Sequence, residues 1–127
     1  MYTKKMGLRH TTSKSFVYAF DGIKTALKNE PNLRIHIFIA ILTLTLGALI
    51  KITLLEWVFL AFTIFYVITL ELLNTVLEQI VNLVSPEVQP AAKIAKDVSA
   101  ACVLLAAFLS VIVGIIIFLP KIIALLY

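Results

Sequence analysis

With 127 residues, 61% of them hydrophobic and 14% charged, the chain is far more apolar than the roughly 45–50% of a soluble domain. Its mean hydropathy of +1.05 excludes a water-soluble enzyme or binding module and makes the lipid bilayer its main solvent. The net charge is +4. At roughly 20 residues per crossing, membrane helices use about 60 residues, which leaves no room for a separate soluble domain.

No signal peptide is expected, because the first 33 residues are polar or amphipathic and lack a continuous apolar core with a cleavage site. Between residues 13 and 29, Phe16, Phe20, Ile23 and Leu27 recur at i, i+4, i+7 and i+11, while Lys14, Asp21, Lys24 and Lys28 take other positions. That pattern predicts an amphipathic helix lying on the membrane surface, basic side toward the headgroups. Pro31 disfavours helix at the residues before it but suits the first turn of a new one. A first span is therefore predicted over about 32–50.

After a turn at 51–53, the run from Leu54 to Val84 has neither proline nor glycine and predicts a second helix over 54–84, roughly 45 Å long at 1.5 Å per residue. Glu56 and Trp57 suit an interfacial start, the second half turns amphipathic, and Ser85-Pro86 ends it. A third span is predicted over 91–119, charged in its first turns and apolar up to Pro120. The fold class is thus all-α and integral to the membrane: a surface helix and three transmembrane helices in a single domain. The lone cysteine, Cys102, cannot form an intrachain disulfide and reads as a packing residue.

Lys4, Lys5, Arg9, Lys14, Lys24, Lys28 and Arg34 precede or open the first span, and Lys93 and Lys96 follow the second; only Lys51 and Lys121 fall on the other side. The positive-inside rule then predicts a cytoplasmic N-terminus and 85–96 loop, with the C-terminus outside. ATP can reach a loop so placed.

Glu71, Asn74, Glu78 and Asn82 stand at i, i+3, i+7 and i+11, within about 80° of arc on one helix face. Carboxylates within a membrane helix are costly unless paired, metal-bound or facing water, so the face is a candidate site. Spacing alone is equally met if Glu71 and Glu78 cement helix packing or sit at the surface. A short loop brings Lys93, Lys96 and Asp97 beside this face, and Glu30 falls at the same depth. Such a set has the chemistry of phosphoryl transfer: carboxylates for Mg²⁺, a lysine for phosphate charge and a carboxylate for the proton of an attacking hydroxyl. No Gly-rich phosphate loop and no protein-kinase HRD or DFG pattern accompanies it. His10 and His36 read as solvated or packing residues rather than metal ligands.

The stretch ELLNTVLEQIVNLVSPEVQPAAKIAKDVSAACVLLAA closely resembles the signature of the prokaryotic diacylglycerol kinase family, E-x-x-N-[ST]-A-x-E-x-x-x-D followed by A-K-x-x-A-K-D. The upstream GIKTALKNEPNLRIH fits the same family, and the resemblance runs from about Phe16 to Pro120. The EW start of the second span and the GIIIFLPK end resemble the Gram-positive branch, whose members mainly phosphorylate undecaprenol. The resemblance implies a homotrimer in the bacterial inner membrane, with active sites between subunits at the cytoplasmic face, and transfer of the γ-phosphate of MgATP to a lipid alcohol. A nucleic-acid partner is not expected.

Position by position, the resemblance makes Glu71 the general base, Asn74 its neighbour in the catalytic pair, and Glu30 and Glu78 the ligands of the divalent cation. It places Tyr18, Glu30, Glu78, Glu87, Val88, Gln89, Lys96 and Asp97 around ATP, and Glu71 with Ala100 against the lipid. Asn82 departs from the family's usual aspartate and Gln89 from a common histidine. The early arginine of some members has Thr11 in its place, with Arg9 and Lys14 nearby. Diacylglycerol is the alternative acceptor, and a non-enzymatic assembly subunit or channel is the alternative from another class.

Overall fold

The computed structural model describes residues 12–127. It is all-helical: α1 spans Thr12–Asn29, α2 Pro31–Leu49, α3 Leu54–Val84 and α4 Pro90–Leu126. The last three are each long and apolar enough to cross a membrane. Lys4, Lys5, Arg9, His10 and Thr11 lie outside the described residues.

The breaks fall where local chemistry puts them. Glu30 is extended (φ −108°, ψ 104°) between α1 and α2, and Pro31 opens the new helix where its missing N–H costs nothing. At the end of α2, Lys51 takes the left-handed conformation (φ 55°), and the Ile52 N–H donates to the Gly47 carbonyl at 3.1 Å. This is a Schellman closure with a lysine where glycine is usual. Lys51→Gly is expected to stabilise the protein by about 1 kcal/mol by removing the Cβ penalty, read as a higher midpoint of thermal unfolding in detergent. A lower midpoint would show that the lysine side chain contributes more than the strain it imposes.

Thr53 starts α3 with a capping box: the Glu56 N–H donates to Thr53 Oγ1 at 3.3 Å, and the Thr53 N–H donates to Glu56 Oε2 at 2.7 Å. Glu56 also meets Lys121 of α4, Nζ to Oε2 3.2 Å. That contact exists because α4 runs through Pro120 to Leu126, seven residues beyond the end predicted from the sequence. One lost backbone hydrogen bond is tolerated here, where Ile117 and Phe118 are buried against Ile52 and Leu60 and hold the last turns in place. Gly47 permits this packing, since a Cβ there would meet Ile52 Cδ1 at 3.0 Å and the Trp57 ring at 3.1 Å.

α3 packs most extensively on α4, then on α2, while α1 makes smaller contacts with α2 and α3. Few side chains are buried, and large apolar ones such as Phe62, Phe65 and Leu105 are about 70% exposed. In water such a surface would drive aggregation, whereas lipid is its natural contact. Cys102, expected to pack, is exposed on the single chain.

Candidate active site

The polar face of α3 lies where α2 and α4 close over it. Glu71 is 2% exposed and Asn74 8%, and buried Val103 of α4 shares their groove. The Asn74 Nδ2 donates to Glu78 Oε1 at 3.4 Å, one turn further on. Glu71 Oε2 and Asn74 Oδ1 are buried with no hydrogen-bond partner. Two orphaned acceptors side by side are expensive within a fold, and their cost falls when a donor such as a hydroxyl arrives.

Glu71 and Asn74 face a groove of about 300 Å³ whose walls include Asn32 and His36 of α2 and Ala100, Val103, Leu104 and Ala107 of α4. The residues expected to touch the lipid, Glu71 and Ala100, are thus brought together. Five of the eight expected nucleotide residues, Glu87, Val88, Gln89, Lys96 and Asp97, gather in a second cleft of about 240 Å³ at the α3–α4 turn, together with Asn82 and Lys93. Within it Lys96 Nζ donates to Asn82 Oδ1 at 2.6 Å, Lys93 pairs with Asp97 one turn along α4, and Ser85 Oγ donates to the Glu87 carbonyl at 2.9 Å. Asn82, the departure from the expected aspartate, thus engages the lysine through a neutral acceptor.

Glu78 stands between the two clefts, tied to the first through Asn74. Glu30 stands at the cap of α2 and, like Glu78, lines neither cleft. Tyr18 lies on α1, half-exposed, and lines neither cleft. No cluster of three metal-ligating side chains occurs among the described residues.

Sequence reasoning passed over Asn32 and His36 as site residues. A lone histidine on an apolar helix usually packs, yet the two stand at i and i+4, on one face of α2, and that face is the one turned to Glu71.

Residues 17–118 match the family described as prokaryotic diacylglycerol kinase. Over 108 residues the sequence is 40% identical to an undecaprenol kinase of Bacillus subtilis, covering 85% of this chain and 88% of that one. It is 42% identical over 113 residues to a diacylglycerol kinase of Synechocystis sp., covering 88% and 65% respectively. A diacylglycerol kinase of Helicobacter pylori is 32% identical over 92 residues, 72% of each chain.

Proposed function

The chain belongs to the prokaryotic diacylglycerol kinase family and is a multi-pass membrane lipid kinase that uses ATP, and from that premise we propose that its acceptor is undecaprenol. The observation that carries the site is the buried, unpartnered Glu71 carboxylate oxygen facing an open groove between three membrane helices.

In the reaction so proposed, the lipid hydroxyl enters the groove and donates its hydrogen bond to Glu71 Oε2. Glu71 takes the proton as the hydroxyl oxygen bonds to the γ-phosphorus, and the bond from that phosphorus to the bridging oxygen breaks to leave ADP. Asn74, next along the helix, lines the same groove and forms part of the wall against which the acceptor hydroxyl rests, its Nδ2 donating to Glu78 Oε1. Lys96 and the loop from Glu87 to Gln89 hold the polyphosphate in the second cleft, with Lys96 offsetting its charge and Asp97 kept in place by Lys93.

Glu30 and Glu78 would hold Mg²⁺, which needs only one or two hard carboxylate ligands beside substrate phosphates, and Glu78 is steadied by the 3.4 Å bond from Asn74 Nδ2. When bound it would offset the negative charge of the polyphosphate.

The protein sits in the inner membrane with its N-terminus and the 85–96 loop cytoplasmic and its C-terminus outside, supported by the lysine and arginine asymmetry; α1 lies on the cytoplasmic surface of the bilayer. A homotrimer with sites shared between subunits is supported by an apolar groove beside Asn74, between Leu73 and Leu77 of α3 and Val98 and Cys102 of α4, which a second copy would cover. Mixing Glu71→Gln subunits with Lys96→Met subunits is then expected to restore part of the activity that each homotypic preparation lacks. Mixtures as inactive as either parent would place each site within one chain.

The acceptor assignment is tested by offering undecaprenol and diacylglycerol together in the same vesicles. Undecaprenyl phosphate is expected to dominate the product, and an excess of phosphatidic acid would assign diacylglycerol instead.

A further inference from the structure

The last turn of α3 carries Asn82 and no basic residue, and the free carbonyls there leave that helix end partly negative. The cation that meets it comes from the next helix. Lys96 of α4 donates from Nζ to Asn82 Oδ1 at 2.6 Å, across fourteen residues of chain. The bond ties α3 to α4 beside the turn that joins them, and both residues line the cleft with Glu87, Val88 and Gln89.

Two lysines line this cleft, and their charges are met differently. Lys93 pairs with Asp97 one turn along α4, both side chains exposed, so a full negative charge answers it. Lys96 meets a neutral amide oxygen. An amide oxygen orients an ammonium much as a carboxylate oxygen does, but it brings no net charge. Glu87, the other carboxylate of the cleft, forms an ion pair with neither lysine among the described residues. Lys96 is therefore held in place while its charge stays unpaired.

We propose that Asn82 is a positioning residue for the nucleotide: its amide holds Lys96 at the cleft without drawing on the lysine's charge, and that neutrality sets how tightly ATP is bound. The inference rests on the nucleotide reading of this cleft and deepens it. Asn82 acts through Lys96 and has no need to touch ATP. A carboxylate at this position would keep the bond to Lys96 and strengthen it. It would also cancel the charge that the polyphosphate meets and add to the negative end of α3. Position and charge thus pull in opposite directions at one residue, and substitution separates them.

The test measures the ATP KM at saturating undecaprenol in wild type, Asn82→Ala, Asn82→Asp and Lys96→Met, at low and at high salt. At low salt the KM is expected to rise about fivefold in Asn82→Asp, the upper end of what one exposed charge pair is worth, while kcat stays within about twofold. The rise is expected to be smaller in Asn82→Ala, which frees Lys96 but leaves its charge. A tether acting through the bond alone gives the reverse order, with Asn82→Asp close to wild type and Asn82→Ala worse, and that order overturns the proposal. So does a rise in Asn82→Asp that persists undiminished at about 1 M salt, where the screening length is only about 3 Å. Lys96→Met separates the inference from the reading beneath it. A raised KM in Lys96→Met with none in Asn82→Asp overturns the role of Asn82 alone. An unchanged KM in Lys96→Met removes the nucleotide from this cleft, and the inference with it. Calorimetric titration of ATP into the wild-type protein needs no variant to fold: affinity is expected to fall as salt rises, and an affinity indifferent to salt overturns the proposal.

Discussion

Glu71→Gln is expected to lower kcat by about 10²–10⁴-fold, the range over which a general base contributes, while the KM for ATP stays within about threefold. The substitution keeps the shape and one carbonyl oxygen but removes the charge that draws the proton from the lipid alcohol. Glu71 is buried between α2 and α4, so the neutral amide fits the same space and removes a buried carboxylate rather than creating one. ATP binding should persist because Glu71 does not line the cleft that holds Lys96 and Glu87. The check is a steady-state titration of both substrates. Turnover equal to wild type would remove Glu71 from the chemistry, and a large rise in the ATP KM would move it to the nucleotide.

Glu78→Gln should act through the cation instead. Glutamine keeps a carbonyl that can accept the 3.4 Å bond from Asn74 Nδ2, so the face of α3 stays in register and only the charge disappears. Losing one of the two proposed carboxylate ligands is expected to raise the Mg²⁺ concentration for half-maximal activity at least tenfold, by comparison with the roughly 10–100-fold effect of disturbing even the residues that orient a metal's ligands. A Mg²⁺ titration at fixed ATP distinguishes this from Glu71→Gln, whose loss no added Mg²⁺ should restore. An unshifted Mg²⁺ curve in Glu78→Gln would place the cation elsewhere.

The helices were legible because proline and polar punctuation coincide with physical breaks. Pro31 begins α2 and Ser85 ends α3, as their backbone restrictions require. Pro120 misled for the same reason: read locally it ends a helix, but the buried Ile117 and Phe118 and the Lys121–Glu56 contact continue α4 beyond it. Those are tertiary effects that no local pattern carries. On α3, the spacing of Glu71, Asn74 and Glu78 placed them on one face, and the fold adds that the first two are buried and unpartnered. Spacing within α3 could not show which residues of other helices turn to that face. Asn32 and His36 were missed on that account, while Ala100 was reached only through the family signature; Lys96 and Asp97 were legible from the short loop that returns α4 beside α3. The separation of the site into two clefts, one at Glu71 and one at the α3–α4 turn, was likewise invisible in the chain order, since Glu71 to Asp97 read as one continuous motif.

The proposed reaction requires a lipid hydroxyl to meet the buried Glu71 carboxylate beside bound ATP. Its most direct test reconstitutes the purified wild-type protein in vesicles with γ-labelled MgATP, with and without undecaprenol. The prediction is label in undecaprenyl phosphate, with ADP formed in equal amount and only when the lipid alcohol is present. Lipid-independent ATP hydrolysis, or no transfer to undecaprenol or diacylglycerol at any Mg²⁺ concentration, would contradict it.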